Sequence, residues 1–80
     1  MSYYARFETE CNTDNVLYKK FEKESERDAA IMNWPVNGFA VDGWEYNRAV
    51  KASRSMPTYR NNCRVELLEI KREDMEGVIK

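Results

Sequence analysis

Eighty residues with 42% hydrophobic side chains, ten of them aromatic, suffice for one small core and leave no room for a second domain around a catalytic cleft. A formal net charge of −1 excludes the high-net-charge composition of a disordered chain, and no apolar run approaches the roughly 20 residues of a membrane span. The absence of histidine removes the commonest general base, the usual partner of a Ser or Cys nucleophile and the commonest metal ligand.

The first segment, Tyr3 to Glu10, alternates. Tyr3, Ala5, Phe7 and Thr9 share one side, and Tyr4, Arg6, Glu8 and Glu10 the other, which predicts a half-buried strand. Cys11 to Asn15 is a turn cluster, because Asn and Asp bond their own backbone. Val16 to Glu22 then returns as the second strand of a hairpin. Its buried face stays open, since Leu17 and Phe21 point one way while Val16 and Tyr18 point the other.

Ser25 and Asp28 resemble a capping box, and a helix is expected from Glu26 to Trp34, where Pro35 stops it. Ala30, Ile31 and Trp34 would lie on the hairpin, and Val36-Asn37-Gly38 would turn the chain. Asp42 followed by Glu45 is a sharper start signal. The stripe of Tyr46, Ala49, Val50 and Ser53 predicts a second helix from Gly43 to about Ser55. The rival reading, a strand over 44–52, would place Arg48 on its apolar side. Met56 to Asn62 reads as a loop and Cys63 to Lys71 as the last strand. The tail offers either one helical turn at 73–77 or a short edge strand at Val78-Ile79.

The expected fold is therefore α+β, in one domain over 1–80: order ββααβ, a three-stranded, largely antiparallel sheet with two helices packed on one face. In that arrangement the last strand runs parallel to the first, and Cys11 and Cys63 fall at opposite ends, too far apart for a disulfide. Both Trp residues are expected in the core, although Trp34, Trp44 and Tyr59 are also of types enriched at binding hot spots.

Chemistry is sparse. Cys11 lies beside Glu10 and Asp14, which oppose a reactive thiolate. Glu8 and Glu10 read as solvated strand residues, and the acidic runs lack the calcium-loop pattern. No catalytic residue, metal site or cofactor is expected, nor is an enzyme.

Charge segregation is what remains. Residues 48–64 carry Arg48, Lys51, Arg54, Arg60 and Arg64 with no acid, a net charge of +5, whereas 1–47 carry five basic and nine acidic side chains. With Tyr59 these form a candidate basic binding face, able to hold a nucleic-acid backbone or an acidic protein. The competing reading is a solvated face neutralised by Glu66, Glu69 and the tail. The overall acidity, with a pI near 5.5, argues against a dedicated nucleic-acid domain. Glu8, Glu10, Asp14, Glu22, Glu24 and Glu26 form a candidate acidic face, interleaved with Lys19, Lys20 and Lys23.

The opening YYARFETE strand, the KKFEKESERDAA junction and the closing RVELLEI strand resemble small accessory proteins of bacteriophages and mobile elements, some of which are anti-CRISPR or other anti-defence inhibitors. The polar N-terminus, the lack of an apolar span and the two isolated cysteines predict a cytoplasmic protein, monomeric or homodimeric. The resemblance implies stoichiometric binding to a host protein or ribonucleoprotein complex. A small nucleic-acid-binding or regulatory module using residues 48–64 is the alternative, and no membrane association is expected.

Overall fold

The computed structural model describes residues 1–9, 14–53, 58–60 and 65–79. In chain order these form β1 (Tyr3–Phe7), β2 (Asn15–Phe21), α1 (Glu24–Asn33), β3 (Gly38–Val41), α2 (Gly43–Ala52), β4 (Thr58–Arg60), β5 (Val65–Lys71) and a 3₁₀ turn over Arg72–Met75. The strands lie in the order β3-β1-β2-β5-β4, and every neighbouring pair is antiparallel. The α+β class and the opening hairpin agree with the sequence reading, and β5 runs in the direction of β1 as expected.

Two parts of that reading are corrected. The sheet has more than three strands, and the helices cover opposite faces. The cause lies in β2, whose apolar residues do not choose a side. Leu17 faces α1, where it packs with Ala5, Phe7 and Leu67 against Ala30, Ile31 and Trp34. Val16 and Tyr18 face α2, where they pack with Ala49, Ile70 and Met75. A central strand buried on both faces reads as a continuous apolar run, and the two competing registers are both satisfied.

β3 was not expected: the sequence predicts a turn at Val36-Asn37-Gly38 and no element over 39–41. Its four residues show no alternation of apolar and polar side chains, so nothing in the pattern marks a strand. What marks it is Gly38, directly opposite Phe7 in the β1–β3 register. A Cβ at Gly38 would come 3.1 Å from Phe7 Cδ1 and 3.3 Å from Ile31 Cγ2, so the glycine lets the Phe7 ring lie over the strand. β4 likewise falls inside the expected 56–62 loop, paired with Val65 to Leu67 of β5.

α1 begins at Glu24, with Lys23 at the N-cap and no side-chain cap, so the Ser25–Asp28 box does not form. Packing holds this helix instead. Trp34 closes it, its ring centroid 4.6 Å from that of Phe7 and its Nε1 donating to the Glu8 carbonyl at 2.7 Å. The segment 44–52 is helical, and α2 ends at Ala52, short of the expected Ser55. The tail takes the helical option. Met75 is buried, Gly77 turns the chain at φ +85°, and Val78 and Ile79 pack against the α2-side core. Cys11 and Cys63, with the disulfide expectation attached to them, lie outside the described residues.

Candidate interaction surface on the second helix

Asp42 has extended backbone and accepts the Glu45 amide on Oδ1 at 2.9 Å, which satisfies one of the orphan donors of the first turn. That cap fixes where the Glu45 side chain points. Its Oε2 accepts from Arg6 Nη1 and from Tyr18 Oη, both at 2.8 Å. Arg6 also lies over the Phe39 ring, 4.9 Å from its centroid, and Tyr4 stacks on Tyr46 at 4.6 Å. Three side chains on the α2 face of the sheet, Tyr4, Arg6 and Tyr18, thus set the rotation of the helix about its axis.

The Tyr18 phenol is pushed well above its usual range, first by burial, then by its hydrogen bond to Glu45 and that carboxylate's charge, with Arg6 opposing. At neutral pH Tyr18 is therefore a neutral donor. The cluster of Arg6, Tyr18 and Glu45 works as a clamp between sheet and helix.

With that side of α2 committed inward, Trp44, Arg48 and Lys51 line its outer flank at i, i+4 and i+7. Trp44 is 55% exposed, and the Arg48 guanidinium lies 5.3 Å from the centre of its ring system. The flank forms one wall of an open groove, with Asp74, Glu76, Gly77 and Val78 on the other. Neither Arg48 nor Lys51 forms an ion pair with any described residue. The expectation that Trp44 is core is corrected, since its place on the helix points away from the sheet. Val50 is also exposed, at 47%, so the inward stripe loses Val50 and gains Glu45 and Ala52 beside Tyr46, Ala49 and Ser53.

Of the remaining expected basic face, Arg54 and Arg64 lie outside the described residues, and Tyr59 and Arg60 have their backbone in β4. The expected acidic face is divided. Glu8 pairs with Arg72 at 3.1 Å and is no free surface charge. The Asp14 carbonyl accepts from the Arg72 amide, while Glu10 lies outside the described residues. Glu22, Glu24 and Glu26 are exposed where β2 passes into α1. The two charged regions therefore sit on opposite sides of the sheet.

Sequence reasoning missed Arg6, which it assigned to the solvated side of β1, and Glu45, which it used only as a cap partner. The available signal was an arginine on a strand face that also carries Tyr4, which invites a carboxylate from a covering element.

No helix among the described residues is long and apolar enough to cross a membrane, and no three or more Cys, Asp or Glu among them are grouped to hold a metal ion. No protein-family model, curated protein or solved structure matches the chain.

Proposed function

We propose that this chain is a non-enzymatic binding module that engages an acidic surface of another protein through Trp44, Arg48 and Lys51 on α2, with Arg54, Tyr59, Arg60 and Arg64, which follow them in the sequence, as further candidates for the contact. The observation that carries this reading is the exposed Trp44 with Arg48 stacked on it, at the start of the acid-free stretch. Trp and Arg dominate binding hot spots, and a solvent-exposed indole in so small a protein forgoes burial that would stabilise the core. The resemblance to phage accessory proteins supports a host protein or ribonucleoprotein complex as partner, bound in the manner of an anti-defence inhibitor.

Capture on the immobilised protein from bacterial lysates at physiological salt tests the reading. A bound protein should be lost with Trp44→Ala and with Arg48→Glu plus Lys51→Glu, while both variants keep the parental melting temperature. A partner that both variants retain would refute the assignment of the site. The second reading, a nucleic-acid ligand, is favoured by the same stacked aromatic and free cations. It requires retention of nucleic acid with an affinity falling steeply as salt rises.

A further inference from the structure

We infer that the outer edge of β3 is a self-complementary docking strand, through which a second copy of the chain pairs antiparallel about a two-fold axis at Phe39. β3 ends the sheet, and among the described residues nothing pairs with its outer side. Which of its backbone groups face outward follows from one hydrogen bond. The Glu8 amide donates to the Asn37 carbonyl at 2.9 Å, and these residues continue the β1–β3 register of Phe7 with Gly38 and Arg6 with Phe39. Antiparallel pairs alternate between bonded and non-bonded, so Phe39 and Val41 turn their N–H and C=O toward β1. Gly38 and Ala40 turn theirs toward solvent.

Those groups fit themselves. In an antiparallel pairing that sets Gly38 of one copy against Ala40 of the other, both residues of both copies exchange hydrogen bonds, four in all. Phe39 then faces Phe39 across the axis as a non-bonded pair, whose Cα atoms approach to about 4.5 Å and whose side chains are in contact. Shifting the register by one pair leaves two bonds within the strand: centring two glycines would need Val36, which lies in a bend, and centring two alanines would need Asp42, whose carbonyl already accepts from the Tyr46 amide. Phe39 is 41% exposed with Arg6 on it, so the axis would join two cation–aromatic stacks.

Charge permits this approach. No charged residue occurs from Trp34 to Val41, and the strand carries neither lysine nor proline nor a bulge, the usual guards of a free edge. Its length is the one guard present. Four hydrogen bonds and two phenyl rings cover far less than the roughly 1,200 Å² of a stable interface, so the dimer is reversible and forms between about 1 µM and 1 mM.

Sedimentation velocity across that range, with amide exchange read residue by residue by NMR, tests the inference. The expected result is a concentration-dependent dimer in which Gly38 and Ala40 amides gain roughly tenfold protection at nine-tenths dimer, while Phe39 and Val41 are protected throughout. Ala40→Pro removes an outward N–H that a free edge does not need, and should abolish the dimer. Phe39→Glu keeps a favourable neighbour for Arg6 but sets like charges across the axis, and should do the same if the proline variant fails to fold. A parent that stays monomeric at 1 mM, a dimer that leaves the Gly38 and Ala40 amides unprotected, or one that survives Phe39→Glu would overturn the inference.

Discussion

Replacing Glu45 with alanine should be among the most damaging single changes available outside the apolar core. The carboxylate is the shared acceptor of Arg6 and Tyr18, and the Arg6 and Glu45 side chains are only 15% and 13% exposed. Breaking a fully buried pair costs about 3–5 kcal/mol and an exposed one at most about 1, so this pair falls at about 2–3 kcal/mol. The Tyr18 hydroxyl, in a fully buried residue, is then left without its acceptor, and the two losses overlap in a total of about 3 kcal/mol. For a domain of this size that corresponds to a fall of about 12–24 °C in melting temperature. Urea unfolding followed by circular dichroism measures it directly. In an Arg6→Met, Tyr18→Phe background the same Glu45→Ala change should cost less than half as much, because no buried donor is stranded. A cost below about 1 kcal/mol in the parent, or an equal cost in both backgrounds, would refute the clamp.

The two ordinary-φ glycines should respond with opposite signs. Gly38→Ala forces Phe7 and Ile31 to shift and should destabilise by about 1–2 kcal/mol, whereas Gly43→Ala meets Tyr4 Cε2 at an ordinary 3.4 Å and should stabilise by about 0.5 kcal/mol through helix propensity, both read by chemical denaturation. Tyr18 carries an alkaline signature. Its folded pKa lies above that of the unfolded chain, so its contribution is fully present below about pH 10 and is lost as pH rises beyond it. Ultraviolet titration should show one of the five tyrosines ionising only with unfolding, and Tyr18→Phe should flatten the fall in stability. The two tryptophans separate by fluorescence: Trp44→Phe should leave a blue-shifted emission poorly quenched by acrylamide, because Trp34 is packed on Phe7, and Trp34→Phe the reverse.

Local signals were legible wherever the chain itself supplies both halves of the interaction. The hairpin, the Asp42 cap and the packing of Ala30, Ile31 and Trp34 on β1 and β2 are of this kind. The misplaced helices share a different cause. Leu17 and Val16 were read as rivals because alternation assumes one wet face, and nothing local says that a second helix will cover the other. β3 was missed because its evidence is a contact between Gly38 and Phe7, 31 positions apart in the chain. Trp44 was assigned to the core on residue type, and only the rotation set by Arg6 and Tyr18 turns it outward.

Covering both faces of the sheet also changes what the charge pattern can do. Segregated charge along the sequence suggests a single surface of two signs, but α1 with Glu24 and Glu26 and α2 with Arg48 and Lys51 flank the sheet on opposite sides. With helix diameters of about 10 Å and a sheet between them, these groups are roughly 20 Å apart, more than two Debye lengths at physiological salt. The acids of α1 therefore neither neutralise the α2 flank nor share a flat interface with it. Glu24→Gln plus Glu26→Gln should leave affinity for an α2 ligand within about twofold at 150 mM salt, while Arg48→Glu plus Lys51→Glu should weaken it at least about tenfold. Titration calorimetry of the two double variants decides between the arrangements, since one continuous two-signed interface would require both pairs to lose affinity together.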